Sequence, residues 1–335
     1  MPRSVIARAP TRIDFGGGWT DVPPYPETDG GCVCNVAISR FATVRIRDAE
    51  HVDRTVVSTP GQPSDGEPLI TAAVRRVGLR GAEVTLRSDF PIGAGLGGSS
   101  AAGVALQGAL AVWRGDSSEH DRAAIAERSR DVEVVDLGVA GGRQDHYAAA
   151  FGGALGLRFT DHVAVERIEL ADRTRHELER RALLVYTGQS RISGDTINAV
   201  IDAYRRRSSR VVAALSRMKD LAEQMIAALR DADVDALASL VAEHWVHQRS
   251  LDPGITTDRI ETIMERAHAA GALGGKALGA SGGGCVLLIC ADTTVAAVRD
   301  AVASLGELVP FAIDLTGLTT ESVSDHVTTG GGQWA

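Results

Sequence analysis

The chain has 335 residues, of which 44% are hydrophobic and 23% charged, and its formal net charge at pH 7 is −8. This balance is typical of a globular protein with about two ordinary domains and a substantial hydrophobic core. The negative net charge argues against nucleic acid as the main partner, because phosphate backbones attract basic surfaces. The net charge does not exclude an anionic small molecule as ligand, since the local charge of a site can oppose the sign of the net charge.

Neither a secretion signal nor a membrane span is predicted. The first ten residues, MPRSVIARAP, lack an apolar signal core, and no window approaches the ~20 apolar residues of a membrane helix. Cys32, Cys34, Cys285 and Cys290 lack the C-x-x-C spacing of common zinc and redox sites, so we interpret them as half-buried strand residues. We therefore expect a cytoplasmic protein without disulfides.

Strand and helix patterns alternate unevenly along the chain, which predicts an α+β fold in both halves. In the first half, strands are predicted at 4–8, 42–48, 82–87 and 152–159, and helices at 99–113 and 120–131. In the second half, strands are predicted at 182–188, 284–290 and 308–313, and helices at about 193–230, 233–250, 257–270 and 293–305. The polar stretch 160–175 marks the predicted domain boundary, giving domains 1–165 and 166–325 and a flexible tail 326–335.

A glycine-rich loop, PIGAGLGGSSAA (91–102), runs directly into a predicted helix. Glycine lets backbone N–H groups approach a ligand, and a helix N-terminus favours an anion. The loop lacks the endings of the Walker A and dinucleotide-binding motifs. A flexible strand-to-helix turn is the alternative to a phosphate site. The candidate binding residues are Gly93, Gly95, Gly97, Gly98, Ser99 and Ser100.

Two more glycine-rich segments favour the phosphate site. RAPTRIDFGGGWTDVPPY (8–25) sets three glycines beside Arg12, Asp14 and Asp21, and KALGASGGGCVLLIC (276–290) includes Gly282 and Gly283. Three such loops, far apart in sequence and each beside polar groups, predict one shared anionic ligand.

A fourth segment, DVEVVDLGVAGGRQDHYAAAFGG (131–153), supplies carboxylates. Glu133 and Asp145 stand on either side of a glycine turn. One carboxylate could bind Mg²⁺, which prefers oxygen ligands, and the other could orient or deprotonate an attacking hydroxyl.

Together the four segments resemble the GHMP kinases, in sequence order and over nearly the whole chain. Residues 8–25 resemble their substrate motif, 91–102 their phosphate loop, 276–285 their third glycine motif, and GGRQDHYAAAFGG their catalytic aspartate segment. GGWTDVPPY, LLVYTGQSRISGD and EHWVHQRSLDPGIT narrow the resemblance to the branch that contains D-glycero-D-manno-heptose 7-phosphate kinase and bacterial L-fucokinase. His146 and Ser281 depart from the usual pattern of the family.

The resemblance implies a two-domain fold with a ribosomal protein S5 domain 2-like N-terminal domain, a ferredoxin-like C-terminal domain and an active site between them. It implies an ATP- and Mg²⁺-dependent sugar 1-kinase, with D-glycero-D-manno-heptose 7-phosphate as the leading acceptor. L-fucose or another free sugar, a non-catalytic sugar and ATP sensor, and a decarboxylase of the mevalonate branch are the alternatives. We expect a small-molecule sugar or sugar phosphate as partner, and a homo-oligomer is left open.

The resemblance also assigns roles. Asp145 is expected to be the base or orienting group for the sugar 1-hydroxyl, and Arg12 its paired cation. Ser100 and Glu133 are expected to hold Mg²⁺, with Asp136 as an alternative to Glu133. A purely structural role stays open for each residue. Asp145 could cap a turn and Arg12 could form an ordinary ion pair. The two serines could cap a helix, and Glu133 could lie on a solvated helix face.

The sugar or sugar phosphate is expected to contact a further set of side chains. Asp21 would bind sugar hydroxyls, the Trp19 face suits the C–H surface of a sugar, and arginine forks suit a substrate phosphate. His244 and His247 lie three apart on one helical face, where sugar hydrogen bonding or packing is expected rather than metal binding. The predicted substrate-binding residues are Trp19, Thr20, Asp21, Arg143, Gln144, Arg191 and Arg249.

Overall fold

The computed structural model describes residues 3–49, 55–58, 68–116, 120–189 and 194–324. Its strands are β1 (Arg3–Gly16), β2 (Gly31–Asp48), β3 (Val56–Ser58), β4 (Ala82–Ser88), β5 (Ala154–Phe159), β6 (Val163–Ile168), β7 (Ala182–Tyr186), β8 (Ala272–Ala277), β9 (Cys285–Cys290), β10 (Glu307–Leu308) and β11 (Thr319–Ser324). Its helices are α1 (Tyr25–Asp29), α2 (Pro68–Val77), α3 (Gly98–Arg114), α4 (Arg122–Asp131), α5 (Gln144–Phe151), α6 (Asp172–Arg181), α7 (Gly194–Arg205), α8 (Ser209–Arg230), α9 (Val234–Leu251), α10 (Asp258–Ala269) and α11 (Val295–Val302).

Within these residues the first sheet has seven strands in the order β11-β1-β2-β4-β3, and β5 and β6 continue it from β2. The long strand β2 reaches both parts, because residues 42–48 pair with β4 and residues 31–36 pair with β5. On β1, Ile13 and Phe15 are buried in the core. Since side chains alternate along a strand, Arg12 and Asp14 share the opposite face.

The second sheet has the order β10-β7-β9-β8 and is antiparallel throughout. Numbered in chain order, this arrangement is 4-1-3-2, the order of the ferredoxin-like fold. Helices α8 and α9 pack between the two sheets. Their apolar residues join a core cluster with Ile13 and Phe15 of β1 and Leu287 of β9. This shared core fixes the position of one sheet relative to the other.

The sequence did not predict several of the observed elements: α1, α2, α5, α6, β3, β6 and β8. Strands β1 and β2 also run well beyond the predicted ranges 4–8 and 42–48. The predicted helix 193–230 is two helices, α7 and α8, separated at residues 206–208, where Arg207 has a φ of 54°. The predicted strand 308–313 is reduced to β10 and an isolated bridge at Ile313. The sequence did not predict β11, because its polar letters, TTESVS, lack an apolar alternation. It lies at the sheet edge, where little apolar burial is needed.

The predicted domain boundary after residue 165 agrees only in part with the division of the strands between the two sheets. Strand β6 runs on to Ile168, and β11 returns to pair with β1 of the first sheet. All four cysteines are buried free thiols. None of the helices in the described residues is both long and apolar enough to span a bilayer. The predicted tail 326–335 lies outside the described residues.

Candidate active site

A cleft of about 860 Å³ lies where the four glycine-rich or carboxylate-bearing segments meet. Segments 8–25, 91–102, 131–153 and 276–290 all contribute to its wall. Segments that are distant in sequence therefore form one site, as the sequence predicted for a shared ligand.

The phosphate-loop candidate needs its glycines for both conformation and space. Gly93, Gly95 and Gly97 have φ values of 70°, 72° and 73°, in the left-handed region that side chains disfavour. A Cβ on Gly95 would lie 2.6 Å from the Leu278 carbonyl oxygen, and one on Gly97 would lie 3.0 Å from Asp145 Cγ. No side chain caps the N-terminus of α3 at Gly97, which leaves its first N–H groups available to an anion.

Arg12 and Asp145 form a two-pronged ion pair at this loop. Arg12 Nε donates to Asp145 Oδ1 at 2.7 Å, and a second guanidinium nitrogen donates to Oδ2 at 2.9 Å. The remaining nitrogen donates to the Gly95 carbonyl at 2.7 Å. Arg12 is buried, whereas the Asp145 side chain is 26% exposed and lines the cleft. The arginine therefore fixes the carboxylate of Asp145 and offsets its charge.

Oxygen atoms gather at the end of the loop, where α3 begins. Ser99 Oγ donates to Glu133 Oε1 at 2.8 Å, and Ser100 Oγ lies 3.4 Å from Oε2. Buried His146 contacts Glu133 Oε2 through Nε2 at 3.1 Å and Ser129 Oγ through Nδ1 at 3.0 Å. Burial opposes ionisation of Glu133, but its hydrogen bonds from His146, Ser99 and Ser100 outweigh this, so the pKa of Glu133 lies below its usual range.

Glu133 stands in a single π-helical turn, Val132–Asp136, an irregularity often found at functional sites. No group of three or more His, Cys, Asp or Glu side chains in the described ranges could hold a metal by itself. A carboxylate with two hydroxyls does suit Mg²⁺, which is commonly held by one or two carboxylates together with substrate phosphates. Asp136 instead pairs with Arg76 at 2.9 Å and does not line the cleft.

The far end of the cleft holds the predicted sugar-binding groups. Asp21 Oδ2 accepts hydrogen bonds from the backbone N–H groups of Arg143 at 2.8 Å and Gln144 at 2.9 Å. Burial raises the pKa of Asp21 to about 6, despite the lowering effect of the Gln144 N–H. Trp19, Asp21 and Gln144 line the cleft. Trp19 has a φ of 81°.

Other predicted substrate residues lie elsewhere. The Thr20 hydroxyl bonds to the backbone of Gly17 and Cys32 and is buried behind the cleft wall. The Arg143 guanidinium lies 3.5 Å from Glu127.

Arg249 pairs with Glu261 at 3.1 Å and does not line the cleft. Gly283 lines the cleft, but Gly282 does not. The Gly282 N–H donates to the Ile255 carbonyl at 2.8 Å. Arg191 lies outside the described residues.

Helix α9 holds two of the loops, a role that sequence reasoning missed. His244 Nε2 accepts a hydrogen bond from the Gly17 N–H at 2.9 Å. One turn later, Gln248 Nε2 donates to the Ala277 carbonyl at 3.2 Å and to Ser281 Oγ at 3.1 Å. Burial lowers the pKa of His244 well below its usual value, so the neutral ring can accept. The only available signal was the four-residue spacing within EHWVHQ. His247, 3.9 Å from Glu243, faces outward.

Comparison with known proteins agrees with this arrangement. Residues 68–153 match the GHMP kinases N terminal domain and residues 225–308 the GHMP kinases C terminal domain, together about half of the chain. The D-glycero-alpha-D-manno-heptose 7-phosphate kinase of Campylobacter jejuni is 27% identical over 84% of this chain and 88% of its own length. The L-fucokinase/L-fucose-1-P guanylyltransferase of Bacteroides fragilis is 29% identical over 88% of this chain, which spans only 35% of that protein.

The bifunctional fucokinase/GDP-fucose pyrophosphorylase of Arabidopsis thaliana is 27% identical over 87% of this chain, which spans 30% of that protein. Among solved structures, one described as a D-glycero-D-manno-heptose 1-phosphate kinase from Bacteroides thetaiotaomicron superposes with a TM-score of 0.77 at 25% identity. It covers 96% of this chain and all of that one. Both family domains, in order, and the two-domain architecture shared along the chain show that this protein belongs to the GHMP kinase family.

Proposed function

We propose that this protein is an ATP-dependent sugar 1-kinase whose acceptor is D-glycero-D-manno-heptose 7-phosphate. One observation carries the proposal. The Arg12–Asp145 pair lines a single cleft together with the Ser99, Ser100 and Glu133 oxygens and the buried Asp21. These are the groups that a phosphoryl donor, a reacting hydroxyl and a polyol require. ATP is the phosphoryl donor of GHMP kinases.

Phosphoryl transfer needs positioning and charge neutralisation more than covalent help. The N–H groups of the glycine loop and of the α3 N-terminus would bind the phosphate oxygens. Each Asp145 oxygen already accepts one hydrogen bond from Arg12 and keeps a second lone-pair site. Asp145 would use it to accept the proton of the anomeric hydroxyl, in a direction fixed by Arg12.

We assign Mg²⁺ to Glu133, Ser99 and Ser100. Bound there, the ion would supply positive charge to the phosphate oxygens. The hydrogen bond from His146 keeps the Glu133 carboxylate ionised and oriented toward the two serines. Asp21, held by two backbone N–H groups, would present its other oxygen to a sugar hydroxyl.

The heptose phosphate is favoured by the Campylobacter relative and the Bacteroides structure, which bear heptose names. A free sugar such as L-fucose is the second candidate. Along the described part of the cleft wall the arginines are Arg12, which is paired with Asp145, and Arg87. Arg249 does not reach the cleft, and Arg191 lies outside the described residues.

The proposal includes a cytoplasmic location, two domains that divide after β6 rather than at residue 165, with β11 returning to the first, and a small-molecule acceptor rather than nucleic acid. A non-catalytic sensor is less well supported, because Arg12, Asp145 and Glu133 are all present and face one cleft.

An ADP-release assay with Mg²⁺-ATP tests the proposal on D-glycero-D-manno-heptose 7-phosphate, L-fucose, D-galactose and D-mannose. NMR of the product locates the new phosphate. We expect a C1 phosphate and the highest kcat/KM on the heptose phosphate. Turnover on a free sugar alone would move the assignment to the second candidate, and phosphorylation at another hydroxyl would refute the 1-kinase assignment.

A further inference from the structure

Asp14 is a carboxylate of the cleft wall with no role in the mechanism above. It follows Arg12 by two residues, so both side chains lie on one face of β1. Asp14 is buried, yet it lines the cleft. A Cβ built on Gly18 would meet both Asp14 Oδ2 and Gln144 Nε2, and the charge of Asp14 acts on Asp21. These neighbours place Asp14 beside the predicted sugar-binding groups.

One oxygen of Asp14 is engaged and the other is not. Lys276 Nζ donates to Asp14 Oδ2 at 2.8 Å, and this lysine is fully buried at the end of β8. Asp14 Oδ1 is buried without a hydrogen-bond partner in the protein. A buried polar atom without a partner costs about 1–3 kcal/mol, so an oxygen in this position calls for a donor from outside the chain.

A second buried atom without a partner belongs to another residue of the cleft wall. The indole Nε1 of Trp19 is also buried without a partner, and Trp19 lines the same cleft. One orphan is an acceptor and the other a donor. Hydroxyl groups both donate and accept, so a polyol is the ligand chemistry that satisfies the two together.

The buried lysine explains how another carboxylate can stand here. The cleft already contains Asp21, Glu133 and Asp145, and it must receive a polyanion. Lys276 offsets the charge of Asp14 at 2.8 Å. The pair therefore adds a strong hydrogen-bond acceptor without adding net negative charge.

We propose that Asp14 binds a hydroxyl of the acceptor sugar through Oδ1, with Lys276 as the residue that positions it. This inference rests on the proposed function, because it needs a polyol in the cleft. The assigned hydroxyl is not the reacting one, which faces Asp145. Asp14 is therefore a specificity residue, because acceptors that carry one particular non-reacting hydroxyl bind more tightly than those that lack it.

The test compares wild type, Asp14→Asn and the double variant Asp14→Asn/Lys276→Met. The double variant keeps the site neutral when the carboxylate is lost. The acceptor is whichever of the heptose 7-phosphate, L-fucose, D-galactose and D-mannose the wild type phosphorylates, together with its singly deoxygenated analogues. Acceptor KM, ATP KM and kcat are measured separately, and urea unfolding shows whether each variant is folded.

For Asp14→Asn we expect acceptor KM to rise about 10- to 100-fold, the loss typical of a hydrogen bond to a charged group, while ATP KM changes less than about threefold. With wild type, removal of one particular hydroxyl from the acceptor should raise the acceptor KM by the same factor. With Asp14→Asn, removal of that hydroxyl should raise the acceptor KM little further. The double variant should show the same pattern.

Three results would overturn the assignment: an unchanged acceptor KM, equal increases in both KM values, or additive losses for every deoxy analogue. The two proposals fail differently. A wild-type protein that phosphorylates none of the sugars refutes the sugar-kinase function and this assignment with it. Wild-type turnover with an unaffected variant refutes this assignment alone.

Discussion

Gly97→Ala separates the conformational need for glycine from its need for space. Gly97 and Gly115 are the two caps of α3, with φ values of 73° and 66°. Nothing lies within 4 Å of a Cβ built on Gly115, whereas one on Gly97 meets Asp145 Cγ at 3.0 Å. Gly115→Ala is therefore a matched control, because it carries the backbone strain without the contact.

The expected magnitudes follow from these contacts. An L-residue in the left-handed region costs about 1–2 kcal/mol, so both variants should lose that much unfolding free energy. At Gly97 the methyl carbon falls about 0.5–1 Å short of an optimal carbon–carbon distance, so the Asp145 carboxyl must retreat. Since a misplacement of about 1 Å can cost 10²-fold, we expect kcat to fall about 10- to 100-fold for Gly97→Ala.

Urea unfolding and steady-state ADP release measure the two effects separately. Gly115→Ala should keep kcat within about twofold of wild type while losing only the left-handed cost of about 1–2 kcal/mol of unfolding free energy, and Gly97→Ala should lose at least that much. Equal kcat values for the two variants would refute the claim that Gly97 is small because Asp145 stands against it.

Three further results are expected. Burial raises the pKa of Asp21 from 3.8 to about 6. The protonated carboxyl therefore stabilises the folded state fully below the lower value, and this stabilisation is lost as pH rises through the upper one. From pH 4 to pH 7 wild type should lose about 2 kcal/mol of unfolding free energy relative to Asp21→Asn, and a constant difference in urea titrations would contradict this. Glu133→Gln should raise the Mg²⁺ concentration for half-maximal rate about tenfold or more, with rescue by excess Mg²⁺; an unchanged Mg²⁺ titration would remove Glu133 from the metal site. Gln248→Leu leaves buried acceptors at Ala277 and Ser281 without their donor, so it should cost about 1–3 kcal/mol of unfolding free energy and raise ATP KM; wild-type values of both would show that α9 does not hold the third loop.

The sequence predicted the glycine loops well because their physics is local. Each loop glycine stands where a left-handed φ or a close contact excludes a side chain, and the serines stand where a helix begins. The resemblance paired Arg12 with Asp145 across 133 positions, and their side chains lie 2.7 Å apart. Spacing alone could not have done this.

Features that depend on tertiary contacts could not be predicted from the amino-acid sequence. Lys276 and Asp14 are 262 positions apart, and no periodicity links them. Arg249 resembled a phosphate ligand in sequence, but its position on α9 directs it to Glu261. Strand β11 is polar, and only its pairing with β1 makes it a strand.

The most direct test of the central claim is the rate of ADP release by Asp145→Asn on the acceptor that wild type prefers. The matched control is Asp172→Asn, because Asp172 also stands in the first turn of a helix and pairs with an arginine, Arg175, at 3.0 Å. We expect Asp145→Asn to lose at least about 10²-fold in kcat, as for removal of a general base, with ATP still bound and the control unchanged. Turnover by Asp145→Asn within about threefold of wild type would contradict the assignment of Asp145 as the group that directs the sugar hydroxyl.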